Sequence, residues 1–242
     1  MSTILSLQKV SRSFGAIVIA DGLDLTLHDG EALGMLGPNG AGKTSLFGII
    51  TGTLAPNAGR IMLAGRDITA LSAARRCRLG IARSFQVPQP FGGMTVFENL
   101  VVAGAFAQGK RESEVYQTAA ETLELCGLGD KSNRLAGSLT LLDRKRLELA
   151  RAITTKPRVL LLDEVAGGLS EAECDLLVAL IKKIRLTGVS IIWIEHIVHA
   201  LVAVVDRIVV LAGGSFIADD KPDAAVKHPR VAEIYMGIPA DE

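Results

Sequence analysis

No charge of one sign dominates this chain. Lys plus Arg number 26, Asp plus Glu number 26, and the formal net charge at pH 7 is zero. A surface built to grip a nucleic-acid backbone shows as an excess of Lys and Arg, so no nucleic-acid partner is expected. Cysteine is scarce: Cys77, Cys126 and Cys174 are odd in number and widely spaced. They make neither a zinc pattern nor a disulfide frame, which fits a reducing compartment, and they read as small buried hydrophobes. Long apolar runs are missing too. The most apolar tract, Val189 to Ala212, is broken by Glu195, His196, His199, Asp206 and Arg207. It falls short of the roughly 18 uninterrupted apolar residues that suggest a transmembrane helix. The start, MSTILSLQKVSRSF, lacks the charged-then-apolar pattern of a secretion signal. No internal repeat or low-complexity tract stands out.

What is present is apolar mass. Residues of apolar type make up 49% and mean hydropathy is +0.35. A well-filled α/β core accounts for this, and so does a protein that docks on a membrane subunit; composition does not separate the two. The 242 residues form one large domain or two small ones. A chain of this length buries roughly three quarters of its unfolded surface.

Periodicity divides the chain. Ile4, Leu5 and Leu7, then Leu23, Leu25 and Leu27, suggest half-buried antiparallel strands near the N-terminus. Glu31–Leu36 runs into a Gly-rich turn and then a helix to about Ile50. Thr51–Gly59 reads as a loop, and strands follow at Arg60–Ala64 and Gly80–Phe85. Pro88, Pro90, Gly92 and Gly93 then form a hinge-like segment. Beyond it the pattern is helical to about Thr155, with Val115, Ala119, Leu123 and Cys126 on one stripe that stops at Gly127. Val159–Leu162, Val189–Ile194 and Ile208–Leu211 are continuous apolar runs separated by helical stretches such as Ala172–Leu186. They fit a parallel sheet covered on both faces.

Two motifs carry chemistry. Gly37-Pro38-Asn39-Gly40-Ala41-Gly42-Lys43-Thr44 fits G-x-x-x-x-G-K-[ST] between a strand and a helix. The glycines let backbone N–H groups approach phosphate oxygens, and the helix start offers its positive dipole end to the same anion. Lys43 is expected to neutralise the β and γ phosphates of ATP, and the Thr44 hydroxyl to bind Mg²⁺; Ser45 belongs to the same cradle. The second motif, Val159–Glu164, delivers a carboxylate at the end of an apolar strand, where open parallel sheets bind ligands. Asp163 is expected to hold Mg²⁺ through water, and Glu164 to orient or polarise the attacking water.

These motifs, their separation and the helical insert are similar to the ATP-binding subunits of ABC transporters, along essentially the whole chain. The resemblance implies a P-loop NTPase core of α/β class with a mostly parallel sheet. An N-terminal antiparallel β subdomain and an inserted α-helical subdomain would complete it. Residues 1–86 and 157–242 would form the core, and 87–156 the insert. It also implies roles. Ile81–Gln86 resembles the family's Q-loop segment, making Gln86 the Mg²⁺ and water contact. Ile194-Glu195-His196 resembles the switch region, with His196 on the γ-phosphate. Phe14 takes the place of the aromatic that stacks on adenine. Gly80–Leu100 and the tail Glu233–Gly237 are most similar to subunits of branched-chain amino acid importers, a subgroup that includes urea and amide systems.

The family pattern is broken in two places. Its signature loop reads Leu-Ser-Gly-Gly-Gln, and here the same place holds Leu139-Thr140-Leu141-Leu142-Asp143. Thr140 keeps a hydroxyl, but Leu142 stands where a glycine would let backbone approach an ATP held by the opposite subunit. Ser170 replaces the Asp expected in the D-loop. Groups serving the chain's own nucleotide are intact, while those serving a partner's are altered. Either the chain pairs with a different ATPase in an asymmetric head-to-tail dimer, or the subfamily tolerates Leu142. The resemblance further implies membrane permease subunits, with Val87–Thr95 and its Phe91 as a docking segment. A solute-binding protein would act indirectly, and the chain would sit peripherally on the cytoplasmic face of the plasma membrane. A soluble relative acting on ribosomes or DNA is disfavoured by the single cassette, short insert and lack of net charge. A non-hydrolysing regulatory subunit is disfavoured by Glu164 and His196.

Overall fold

A computed structural model describes residues 2–231. The tail Glu233–Gly237 singled out above lies outside them. In chain order the first elements are β1 (Thr3–Phe14), β2 (Ile17–His28), β3 (Ala32–Leu36), α1 (Lys43–Thr51), β4 (Ala58–Leu63) and β5 (Arg66–Asp67). Next come α2 (Ala73–Arg78), β6 (Ile81–Ser84), α3 (Val96–Gln108), α4 (Tyr116–Leu125), α5 (Leu141–Thr154), β7 (Val159–Asp163) and α6 (Glu171–Arg185). The last are β8 (Ser190–Ile194), α7 (Val198–Val202), β9 (Arg207–Ala212), β10 (Ser215–Asp220) and α8 (Pro222–Val226). These form two compact units, one from the residues up to Ala73 and from Ser190 onward, the other from Ala74–Val189.

The first unit holds an antiparallel sheet of order β2-β1-β4-β5. Leu27, Leu25 and Leu23 pair with Leu5, Leu7 and Val10, and all six are buried. Two-residue spacing puts Leu5 and Leu7, and Leu23, Leu25 and Leu27, on one face, and a bulge between Leu7 and Val10, with Lys9 at φ 48°, brings Val10 onto it. β3 lies between β8 and β9, parallel to both, and β10 folds back antiparallel on β9. β3 and β8 are buried along their whole length, as strands covered on two faces must be. Gly34 sits in mid-β3 because a Cβ there would stand 2.9 Å from Leu201 of α7.

In the second unit β6 runs parallel to β7, beside the helices α3 to α6. Val115, Ala119, Leu123 and Cys126 are all buried, and Gly127 ends the stripe at φ 66°. Thr95 and Ser170 open α3 and α6 with capping boxes, in which the cap oxygen accepts the Glu98 or Glu173 N–H and that glutamate accepts the cap's own N–H. Burial pushes the Cys126 thiol up to about 12, which leaves it an inert core residue. No helix among the described residues is long and apolar enough to cross a membrane.

Candidate functional site

The glycine-rich loop, Gly37–Gly42, grows out of β3. Gly37 follows the strand directly, and a Cβ there would stand 2.3 Å from the Leu211 carbonyl oxygen. No real side chain accepts that contact, so the turn is reserved for glycine. We expect Gly37→Ala to cost about 1–3 kcal/mol, read as a lower denaturant midpoint; an unchanged midpoint would contradict the packing described. Gly42, the residue before α1, has φ 97° and lies against Ile19. Between these glycines the chain folds over Lys43, which is only 5% exposed. Its ammonium donates to the carbonyls of Gly37 at 2.6 Å and Pro38 at 3.1 Å. Pro38, Asn39, Gly40 and Ala41 form the rim, Thr44 is exposed in the first turn of α1, and Ser45 is half-buried beside it.

His196 comes from the neighbouring strand. Met35 of β3 pairs with Ile194 of β8, so Gly37 and His196 each stand two residues past the same ladder rung. The His196 ring is exposed, and its backbone N–H donates to the Glu195 carboxylate at 3.1 Å. Phe14 ends β1, is 45% exposed, and carries the Arg12 guanidinium 4.4 Å from its ring centroid. One face is thus already occupied by a cation, an arrangement worth roughly 0.5–1 kcal/mol at an exposed site.

The second unit brings Gln86, Asp163 and Glu164 together by the same strand logic. Ser84 pairs with Leu162, so Gln86 and Glu164 each lie two residues beyond that rung. The Gln86 amide donates to a Glu164 carboxylate oxygen at 2.6 Å. Asp163 is buried at the strand end, and Arg83 donates to it at 2.5 Å. Arg83 also lies 5.0 Å from the Phe85 ring centroid. Glu164 has φ 47°. A non-glycine residue in that conformation costs on the order of 1–3 kcal/mol and persists where the surroundings impose it, as active sites do.

Mg²⁺ takes oxygen donors and is commonly held by one or two carboxylates, with water and substrate phosphates completing the shell. The buried Asp163 carboxylate and the exposed Thr44 hydroxyl are donors of that class. No cluster of three or more His, Cys, Asp or Glu exists among the described residues. Asp163 and Thr44, each taken singly, are oxygen donors of the chemistry that suits Mg²⁺.

The altered positions are satisfied locally. Thr140 caps α5, its hydroxyl oxygen accepting the Asp143 N–H at 3.3 Å. Leu141 and Leu142 are already helical, Leu141 44% exposed and Leu142 buried. Asp143 is held by Lys131 at 2.8 Å and Arg146 at 3.6 Å. Ser170 accepts the Glu173 N–H and donates to the Glu173 carboxylate at 2.8 Å, which holds that carboxyl below its ordinary range. Ser caps a helix as well as Asp does.

Sequence reasoning missed Arg83, Asn99, Lys145 and Glu148 as parts of this region. Each is a polar side chain buried or nearly so, and the only hint in the sequence is the three-residue spacing of Lys145 and Glu148 on α5. Phe91 and Val87, the apolar members of the proposed docking segment, are 48% and 66% exposed.

Known proteins agree with this architecture. The ABC transporter family model matches residues 20–167. The high-affinity branched-chain amino acid transport ATP-binding protein BraF of Pseudomonas aeruginosa is 37% identical over 97% of this chain and 98% of its own length. LivG of Escherichia coli, with the same descriptive name, is 34% identical over 97% and 98%. A solved ATP-binding cassette of an ABC transporter in its ADP conformation superposes with TM-score 0.90 and 29% identity, covering 98% of this chain and 100% of that one. A chain with this cradle, these strand-end carboxylates and this full-length likeness belongs to the ABC transporter family, as one of its ATP-binding, ATP-hydrolysing cassettes.

Proposed function

We propose that this chain is the motor subunit of an importer for branched-chain amino acids or a related small polar solute. The observation that carries the motor reading is the cradle, where a buried ammonium is folded under a glycine loop at the head of α1. That geometry suits a triphosphate, because backbone N–H groups, a helix dipole and a fixed cation converge on one anion. The solute class is supported by the names of the full-length relatives.

In this reading Gly37, Pro38, Asn39, Gly40, Ala41, Gly42, Lys43, Thr44 and Ser45 wrap the phosphates, and Phe14 offers its free face to the adenine. Mg²⁺, held by Thr44, Asp163 and Gln86, would neutralise charge developing on the β and γ oxygens. Glu164 orients the attacking water and accepts its proton. Gln86 keeps that carboxylate aimed, and His196 donates to the γ-phosphate oxygens. Phe14 is half-exposed and His196 is exposed, which supports these two roles.

The chain would act as a head-to-tail dimer with a second ATP-binding subunit, on the cytoplasmic face of the membrane beneath two permeases and a solute-binding protein. ATP bound from both sides favours the closed dimer, and hydrolysis removes that contact. The helical start at Leu141, with two branched side chains where close backbone approach is needed, favours a paralogue over a second copy of this chain. The site built on this chain's Lys43 would then be the faster one, with Thr140 contributing only a hydroxyl to the other. Two equal, fast ATP sites in the pure chain would overturn the asymmetry.

Uptake of labelled leucine by cells lacking the chain tests the function as a whole. Uptake should be lost and should return with the wild-type chain but not with Glu164→Gln. Normal leucine uptake alongside loss of another solute would overturn the assigned substrate class.

A further inference from the structure

The segment after β6 carries Gln86 and, with its prolines and glycines, looks like a hinge. Its backbone is instead held at three residues, Gln86, Gln89 and Phe91. Lys145 donates to the Gln86 carbonyl at 2.7 Å. The Glu148 carboxylate holds the Arg151 guanidinium in place beside this segment, at 3.1 Å. Arg151 donates to the Gln89 carbonyl at 3.0 Å, and its guanidinium lies 5.2 Å from the Phe91 ring centroid. Asn99 of α3 then binds both the N–H of Phe91, at 2.9 Å, and its carbonyl, at 3.2 Å.

Lys145, Glu148 and Arg151 are spaced three apart, so they share one stripe of α5. Lys145 is 3% exposed and Glu148 6%. Burial pushes the Glu148 carboxyl up, and the Arg151 guanidinium opposes that. Burying ions on a helix is a poor way to gain stability. What these three gain is a fixed position for one stretch of backbone. That stretch ends in the Gln86 amide, which reaches Glu164 at 2.6 Å.

We infer that Lys145, Glu148 and Arg151 are positioning residues for ATP hydrolysis, binding the Gln86 segment to α5 so that helix and segment move as one body. The inference rests on the roles given above to Gln86 and Glu164. α5 has 14 residues, and a helix of that length reaches about 21 Å at 1.5 Å per residue. A shift of α5 as a rigid rod therefore moves Gln86 relative to the end of β7, and with it the aim of Glu164.

Glu148→Ala and Glu148→Gln, made in the full-length chain in its ATP-hydrolysing assembly, test this. Without Glu148 to hold Arg151 on the Gln89 carbonyl, hydrogen exchange across residues 85–91 should rise about tenfold or more in Glu148→Ala. Turnover should fall about 10- to 100-fold with the KM for ATP unchanged. Glu148→Gln keeps an acceptor oxygen and should recover most of both. Equal loss in the two variants, or a raised KM that tracks a lowered melting temperature, would mean a merely structural role and overturn the inference. Should Glu148→Ala fail to fold, Lys145→Met, which removes the bond to the Gln86 carbonyl, is held to the same kcat and exchange outcomes around Gln86. Normal turnover in Glu164→Gln would instead sink the underlying reading. An inactive Glu164→Gln beside a fully active, fully protected Glu148→Ala would sink this inference alone.

Discussion

Glu164→Gln should lower ATP turnover by about 100- to 10,000-fold while leaving ATP binding intact, because it removes a base and little else. The amide is isosteric with the carboxylate, and its oxygen still accepts the Gln86 amide bond now made at 2.6 Å. Glu164 is not among the residues that wrap the phosphates, so uptake of nucleotide has no reason to weaken. The strained backbone at φ 47° stays as it is, since Gln tolerates that conformation no worse than Glu. Single-turnover hydrolysis, measured beside equilibrium binding of the same nucleotide, reads both halves of the statement. Turnover within a few-fold of wild type would remove Glu164 from the chemistry, and lost binding would make it a ligand contact.

Lys43→Ala should do the opposite, weakening ATP binding first. The ammonium is buried and fixed by two loop carbonyls, so it meets an anion already desolvated and already placed. Truncating one partner of a buried charged contact costs about 2–5 kcal/mol, which is at least about a 30-fold rise in Kd. The fold should survive, because the loop's shape is set by Gly37 against Leu211 and Gly42 against Ile19 rather than by the ammonium. Titration with a non-hydrolysable ATP analogue, beside a thermal melt, separates these effects. Undiminished binding would mean that the phosphates lie elsewhere.

Much of the local structure could be read from the residues. Leu23, Leu25 and Leu27 alternate because one face of β2 is buried, and Val159–Leu162 is uniformly apolar because β7 is buried throughout. The helical stripe from Val115 to Cys126 and its stop at Gly127 follow from 3.6-residue periodicity and a left-handed glycine. Other features left no pattern. β4 begins at Ala58, two residues before the expected start at Arg60, because Gly59 packs on β1 where a Cβ would meet the Lys9 carbonyl at 2.3 Å. β10, Ser215–Asp220, is a polar strand held by its neighbour rather than by burial, so alternation did not announce it.

The region around the carboxylates divides in the same way. Its reactive groups stand out in sequence because phosphate and metal chemistry demand particular residues at particular spacings. Its supports do not, because Lys145 and Arg151 look like any charged residues on a helix until the backbone carbonyls they hold come into view. The prolines and glycines after Gln86 suggested freedom, whereas Asn99 and the stripe on α5 tie that backbone down.

The most direct test of the account is calorimetric titration of the wild-type chain with a non-hydrolysable ATP analogue and Mg²⁺. The account requires saturable binding of one nucleotide per chain, weakened at least about 30-fold in Lys43→Ala. No binding heat from the folded chain, or identical binding by the two proteins, would contradict it.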